Sequence, residues 1–142
     1  VRETHTELLL KPVAFKGNPE NPVQLKDAMR GILNGLAFLH QYGYVHRDLR
    51  WPNIIREQNG NVRIIDLEHA GLEGVVGFDL DTWPEEAEVG KYTKHMDMSM
   101  LYTMGMQYIA MISDSREALD FLDQIKQGTP ARQALQHPWL LQ

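Results

Sequence analysis

The stretch Tyr44-Val45-His46-Arg47-Asp48-Leu49-Arg50-Trp51-Pro52-Asn53 decides how the rest of the 142-residue chain is read. It reads as a short strand running into a polar loop. His-Arg-Asp is followed, after four intervening residues, by Asn. That pattern carries chemistry only in the right context. The loop should follow a helix and precede a hairpin that ends in a second Asp. Both are present.

Upstream, Lys16 to Pro22 is a loop by composition. Asn21 is placed to cap a helix, with Pro22 at its first position and Gln24 completing a capping-box-like pair. The helix is expected over 22–42, with Leu25, Met29, Ile32, Leu33, Leu36 and Leu39 or His40 as its apolar stripe. Gly43 stands where a left-handed terminating residue is wanted. Before the loop, Thr6 to Lys11 is a short apolar run stopped by Pro12, which predicts a strand over 6–11.

Downstream, two apolar runs flank Asn59-Gly60 and predict a hairpin over 54–65. If Asn59-Gly60 is a two-residue turn, Asn53 faces Asp66, with Cβ atoms about 4.5–5.5 Å apart. Two oxygen ligands so placed suit Mg²⁺, which keeps waters and phosphate oxygens as its other ligands. A bulged turn would shift that register by one. The span 66–86 is Gly-rich and acidic and reads as loop. A nearly all-apolar helix is expected over 96–112, holding six of the chain's methionines, and such helices are buried in cores. Amphipathic helices follow over 115–141, the first capped by Ser113, Asp114 or Ser115.

Hydrophobic content of 43% suits one globular domain. Net charge of −5 without a basic run argues against nucleic acid or an acidic membrane as partner. There is no cysteine, so there is no disulfide or thiolate metal site, which fits a reducing compartment. The histidines share no zinc-ligand spacing. Val1 opens the chain without a Met, and the expectation is a part of a longer protein.

The chain resembles the C-terminal lobe of a protein kinase. Besides the loop, Trp83-Pro84-Glu85 is similar to the Ala-Pro-Glu that ends the family's activation segment. Asp97 matches the Asp that anchors the catalytic loop. Arg132, with Ala134-Leu135-Gln136-His137-Pro138-Trp139-Leu140, is similar to the C-terminal helix. The implied fold is mainly α within an α+β class, a helical bundle around a buried central helix with short hairpins at the cleft.

The resemblance implies roles. Asp48 would be the base, Arg50 would steady the transferred phosphate, and Asn53 and Asp66 would hold Mg²⁺ beside ATP. His46 and Arg47 would be structural, Arg47 contacting the activation-like segment over 66–86. Glu85 and Arg132 would form an ion pair. The parent would transfer the γ-phosphate of ATP to a hydroxyl acceptor, as an intracellular, cytoplasmic or nuclear enzyme.

Departures accompany the match. No Gly-rich nucleotide loop, no partner lysine and no glutamate-bearing helix occur here, so the lone chain is expected to be inactive. An N-terminal lobe or another partner would cover its cleft. Asp66-Leu67-Glu68 replaces Asp-Phe-Gly. Thr82 is the one hydroxyl between Glu68 and Trp83, so Arg47 is expected to meet a built-in acid such as Glu73, Asp79 or Asp81. The stretch Ile64 to Gly71, with Gly77-Phe78-Asp79, is also similar to choline and aminoglycoside kinases. A non-catalytic kinase-like module remains a further alternative. Arg50 occurs in some tyrosine kinases at this position, whereas Pro52 is more typical of serine/threonine kinases. Trp51 either stacks on substrate or fills a gap beside the loop.

Overall fold

The computed structural model describes residues 14–74 and 92–142. The strand expected over 6–11, Thr82, the Glu85 half of the pair with Arg132, and Asp79 and Asp81 lie outside the described residues. The described order is β1 (Ala14–Lys16), α1 (Pro22–Gln41), β2 (Tyr44–Val45), β3 (Ile54–Glu57), β4 (Val62–Ile64) and β5 (Gly71–Leu72). Then come α2 (Lys94–Met106), α3 (Arg116–Lys126), α4 (Ala131–Ala134) and α5 (Pro138–Leu141). The class is α+β, as expected.

Helix α1 is the spine. Asn21 Oδ1 accepts the Gln24 N–H at 2.9 Å, and the Gln24 side chain accepts the Glu20 N–H at 2.9 Å. The helix stops at Gln41, where Gly43 takes φ +80°. Leu25, Met29, Ile32, Leu33 and Leu36 are fully buried, and His40 joins them in place of half-buried Leu39.

The sheet order is β1-β3-β4, all antiparallel. Strand β1 was not anticipated, because Ala-Phe-Lys is too short to show a period and its partner β3 is distant in sequence. The hairpin is real but its register differs from the two-residue expectation. Gly60 N donates to Glu57 O at 2.9 Å and Glu57 N to Asn61 O at 2.7 Å. Gln58, Asn59 and Gly60 therefore form a three-residue loop, with Gly60 supplying its left-handed third position at φ +92°. Ile54 pairs with Ile64. Asn53 thus comes opposite Ile65, not Asp66, and accepts the Ile65 N–H at 2.8 Å.

The span read as loop after Asp66 contains a strand: β5 pairs with β2, Tyr44 opposite Leu72 and Val45 opposite Gly71. Helix α2 is shorter than the expected 96–112. It runs from Lys94 to Met106 and gives way to a 3-10 turn over Ile109–Met111. Uniform apolar composition hid that break. Met98, Met100, Leu101 and Met104 are buried core, as the methionine content implied. Ser115 is the cap of α3, accepting the Ala118 N–H at 3.2 Å. The C-terminal region divides into α4 and α5, α5 being capped by the ring of His137, whose Nδ1 accepts the Trp139 N–H at 3.1 Å.

Candidate active site

Strand β2 delivers the chain to His46, and from there the loop is held by its own side chains and by α2. Asp97 is fully buried at the first turn of α2. Its Oδ2 accepts the His46 N–H at 2.8 Å and the His40 Nε2–H at 2.8 Å. Its Oδ1 accepts the Arg47 N–H at 3.1 Å and the Tyr92 hydroxyl at 2.8 Å. One buried charge thus takes four donors, which offsets its loss of water. Burial, together with the adjoining Asp97 charge, pushes the Tyr92 hydroxyl well above its ordinary pKa.

Arg47 sits at φ +74°, a conformation that costs an ordinary residue about 1–3 kcal/mol and persists only where neighbours impose it. Its main chain is tied to Asp97. Its guanidinium donates to the carbonyls of Leu72 at 3.1 Å and His69 at 3.4 Å. It therefore contacts the segment after Asp66. Glu73, one of the acids expected beside it, instead accepts the Lys94 N–H at 2.8 Å.

Asp48 and Asn53 are brought together. The Asn53 Nδ2 donates to Asp48 O at 2.8 Å and to Asp48 Oδ2 at 3.0 Å. Arg50 Nε lies 3.2 Å from Asp48 Oδ1. Asp48 and Asn53 are each 5% exposed, whereas the Arg50 side chain is half exposed. Asn53 belongs to a 3-10 turn over Trp51–Asn53. That turn is fixed by Trp51, whose indole N–H donates to Met104 O at 3.1 Å and whose ring meets Tyr108 edge-on at 5.2 Å. Trp51 is buried, so it fills the gap beside the loop.

Asp66 follows Ile65, the residue bonded to Asn53. It is exposed, at φ +61°, and its Oδ1 accepts the Glu68 N–H at 3.2 Å. An Asp adopts this left-handed conformation more readily than most residues. His46 ties the two halves of the site together. Its Nδ1 accepts the Asp48 N–H at 3.2 Å and its Nε2–H donates to Ile65 O at 3.3 Å. It is fully buried. Arg132 is exposed and donates to Gln41 Oε1 at 2.7 Å.

Two partners of Asp97 were not singled out in the sequence. His40 showed only as a polar residue on an apolar stripe, and Tyr92 gave no signal at all. The donor set at the loop suits a hard cation. With its Nδ2 turned toward Asp48, Asn53 presents an amide oxygen, and Asp66 presents carboxylate oxygens. Oxygen donors of these kinds are ones that Mg²⁺ takes.

A family model described as the protein kinase domain matches residues 4–74, half of the chain. The chain belongs to the protein kinase family. It is 40% identical over 67 residues to cyclin-dependent kinase 4 of Mus musculus, covering 46% of this chain and 21% of that protein. It is 29% identical over 97 residues to the serine/threonine-protein kinase ste20 of Aspergillus oryzae, covering 63% and 11%. It is 33% identical over 100 residues to the cytokinesis protein sepH of Aspergillus niger, covering 66% and 7%. This kinase chain therefore spans about a fifth or less of the length of these relatives. Among the described residues, no helix is long and apolar enough to cross a membrane.

Proposed function

We propose that these residues form the catalytic-loop side of a kinase C-terminal lobe, and that the parent protein transfers the γ-phosphoryl group of ATP to a protein hydroxyl. The contact of Asn53 with the Asp48 carboxylate carries this reading, within a loop fixed by Asp97. Asp48 takes the proton of the acceptor hydroxyl, the oxygen bonds to phosphorus, and ADP leaves. A carboxylate has about four lone-pair positions, so the Asn53 and Arg50 contacts leave room for that proton. Those contacts also fix the direction in which the free lone pairs point, and positioning is most of what phosphoryl transfer asks of a protein. Arg50 supplies a cation beside the base, reachable from solvent. Asn53 and Asp66 would carry the metal. Pro52 and the naming of the ste20 relative favour serine or threonine as acceptor.

The test is turnover by the intact protein carrying Asp48→Asn, with folding followed by thermal melting. Loss of a placed base lowers kcat by about 10²–10⁴-fold. Unchanged turnover in a folded variant overturns the reading. A non-catalytic kinase-like module is the second reading. It is supported by Glu68, which places a further carboxylate two residues after Asp66 and engages Asp66 Oδ1 through its main chain. Absence of turnover in the intact wild type, with the fold retained, decides for the module.

A further inference from the structure

The sequence holds two Asn-Gly pairs, Asn34-Gly35 and Asn59-Gly60, and the fold treats them differently. A glycine after an asparagine leaves its backbone nitrogen unshielded, so that nitrogen can attack the side-chain amide carbon. Asn34 and Gly35 lie inside α1. Helical ψ holds the asparagine side chain away from the next nitrogen, whose N–H is committed to the helix ladder. Asn59 and Gly60 lie instead in the three-residue loop of the β3–β4 hairpin, and both are exposed.

The loop also primes the pair for reaction. The Asn61 N–H donates to Asn59 Oδ1 at 3.0 Å, which polarises the side-chain carbonyl and opens its carbon to attack. Among the described residues, a Cβ built on Gly60 would meet no atom within 4 Å, whereas one on Gly35 would stand 3.0 Å from Ile64 Cδ1. The Gly60 N–H donates to Glu57 O at 2.9 Å. That bond closes an exposed loop end, which opens at little cost, while α1 is the spine of the core and opens with it. Asn61, the other asparagine of the turn, is followed by Val62, whose branched side chain shields its nitrogen.

We propose that Asn59 is a site of spontaneous deamidation, a covalent modification whose only co-reactant is water. The Gly60 nitrogen bonds to Asn59 Cγ as the Cγ–Nδ2 bond breaks, and the side-chain nitrogen leaves as ammonia with the Gly60 amide proton. Water then opens the cyclic imide. Opening at Cγ gives an aspartate in the normal chain, and opening at the main-chain carbonyl gives a β-linked aspartate. Either product makes the net charge of −5 more negative. The β-linked product also lengthens the backbone of the loop that sets the register of β3 on β4. The site shares no residue with the loop around Asp48 and does not depend on the function proposed above.

The test is incubation of the intact protein in mildly alkaline buffer. Digestion in weak acid then halts the conversion, and the peptides are separated by mass and chromatography. The peptide bearing Asn59 is expected to give both acid forms, normal and β-linked, about tenfold or more faster than the peptide bearing Asn34. In urea, where the helix is gone, the two rates are expected to converge. Asn59→Gln, whose longer side chain closes the ring poorly, is expected to abolish the conversion in its peptide. Each of the following results overturns the proposal. One is no acid form at Asn59 in the folded protein. Another is equal rates at Asn34 and Asn59 in the folded protein, which would mean conversion through global unfolding. A third is a difference that persists in urea, which would assign the selectivity to neighbouring residues and not to the fold. The last is an undiminished acid form in Asn59→Gln, which would place the reaction at another residue.

Discussion

The main-chain N–H of Arg47 donates to the carboxylate of Asp97 at 3.1 Å, joining two residues fifty positions apart. The adjoining N–H of His46 donates to the same carboxylate. An Asp97→Ala substitution removes the carboxylate that accepts both of these, the His40 ring and the Tyr92 hydroxyl in a buried place. The expected cost is about 3 kcal/mol or more, read as a lower urea midpoint with the slope unchanged. A change below about 1 kcal/mol would show that the loop does not depend on this anchor.

Tyr92 links stability to alkaline pH. Its folded pKa is raised above the unfolded value of about 10. The stabilisation is therefore complete below pH 10, where both states are protonated. Above it, only the unfolded state loses the proton, and stability falls with rising pH, by at most about 1.4 kcal/mol per pH unit for this one group. Tyr92→Phe is expected to be less stable at neutral pH but to lose stability less steeply between about pH 10 and 11. Urea melts across that range check it, and an identical slope in the variant would assign the alkaline loss to other groups.

Gly31→Ala sets two effects against each other. Alanine is favoured in a helix by about 1 kcal/mol. A Cβ at this position would stand 2.6 Å from Val62 O and 2.7 Å from Val62 Cβ, and the backbone carbonyl of β4 cannot turn aside as a side-chain end can. Overpacking of this kind costs about 1–3 kcal/mol. Net destabilisation is expected, seen as a lowered melting temperature. A raised one would mean that β4 shifts without penalty.

Arg50 separates stability from rate. Its side chain is half exposed, so the pair with Asp48 contributes well under 1 kcal/mol to folding. Arg50→Gln is expected to keep its melting temperature and to lower kcat more than KM if the parent turns over. A loss confined to KM would assign Arg50 to substrate binding instead.

Much of the site was legible because its chemistry is written in contiguous residues. His46, Arg47, Asp48, Arg50 and Asn53 fall within one loop, and the Asn21-Pro22 start and Gly43 end of α1 are marked by their own side chains or lack of one. The register of the hairpin was not legible. Asn-Gly is compatible with a two-residue turn and with the last two places of a three-residue loop, and the choice moves every partner by one. The end of α2 was hidden because Ile109 to Ile112 is as apolar as the helix before it. The partners of Asp97 arrive from α1 and from the approach to α2, and nothing local in either stretch announces a meeting that only tertiary packing creates.

Since helix α1, strand β2 and helix α2 all converge on the one carboxylate of Asp97, the loop bearing Asp48 belongs to the same cooperative block as the core. Its amides at His46 and Arg47 are expected to exchange with solvent only when that block opens, which hydrogen exchange would check. On the proposed function, the loop so fixed is a stationary anvil, and control over the transfer is expected to act on what is carried to it.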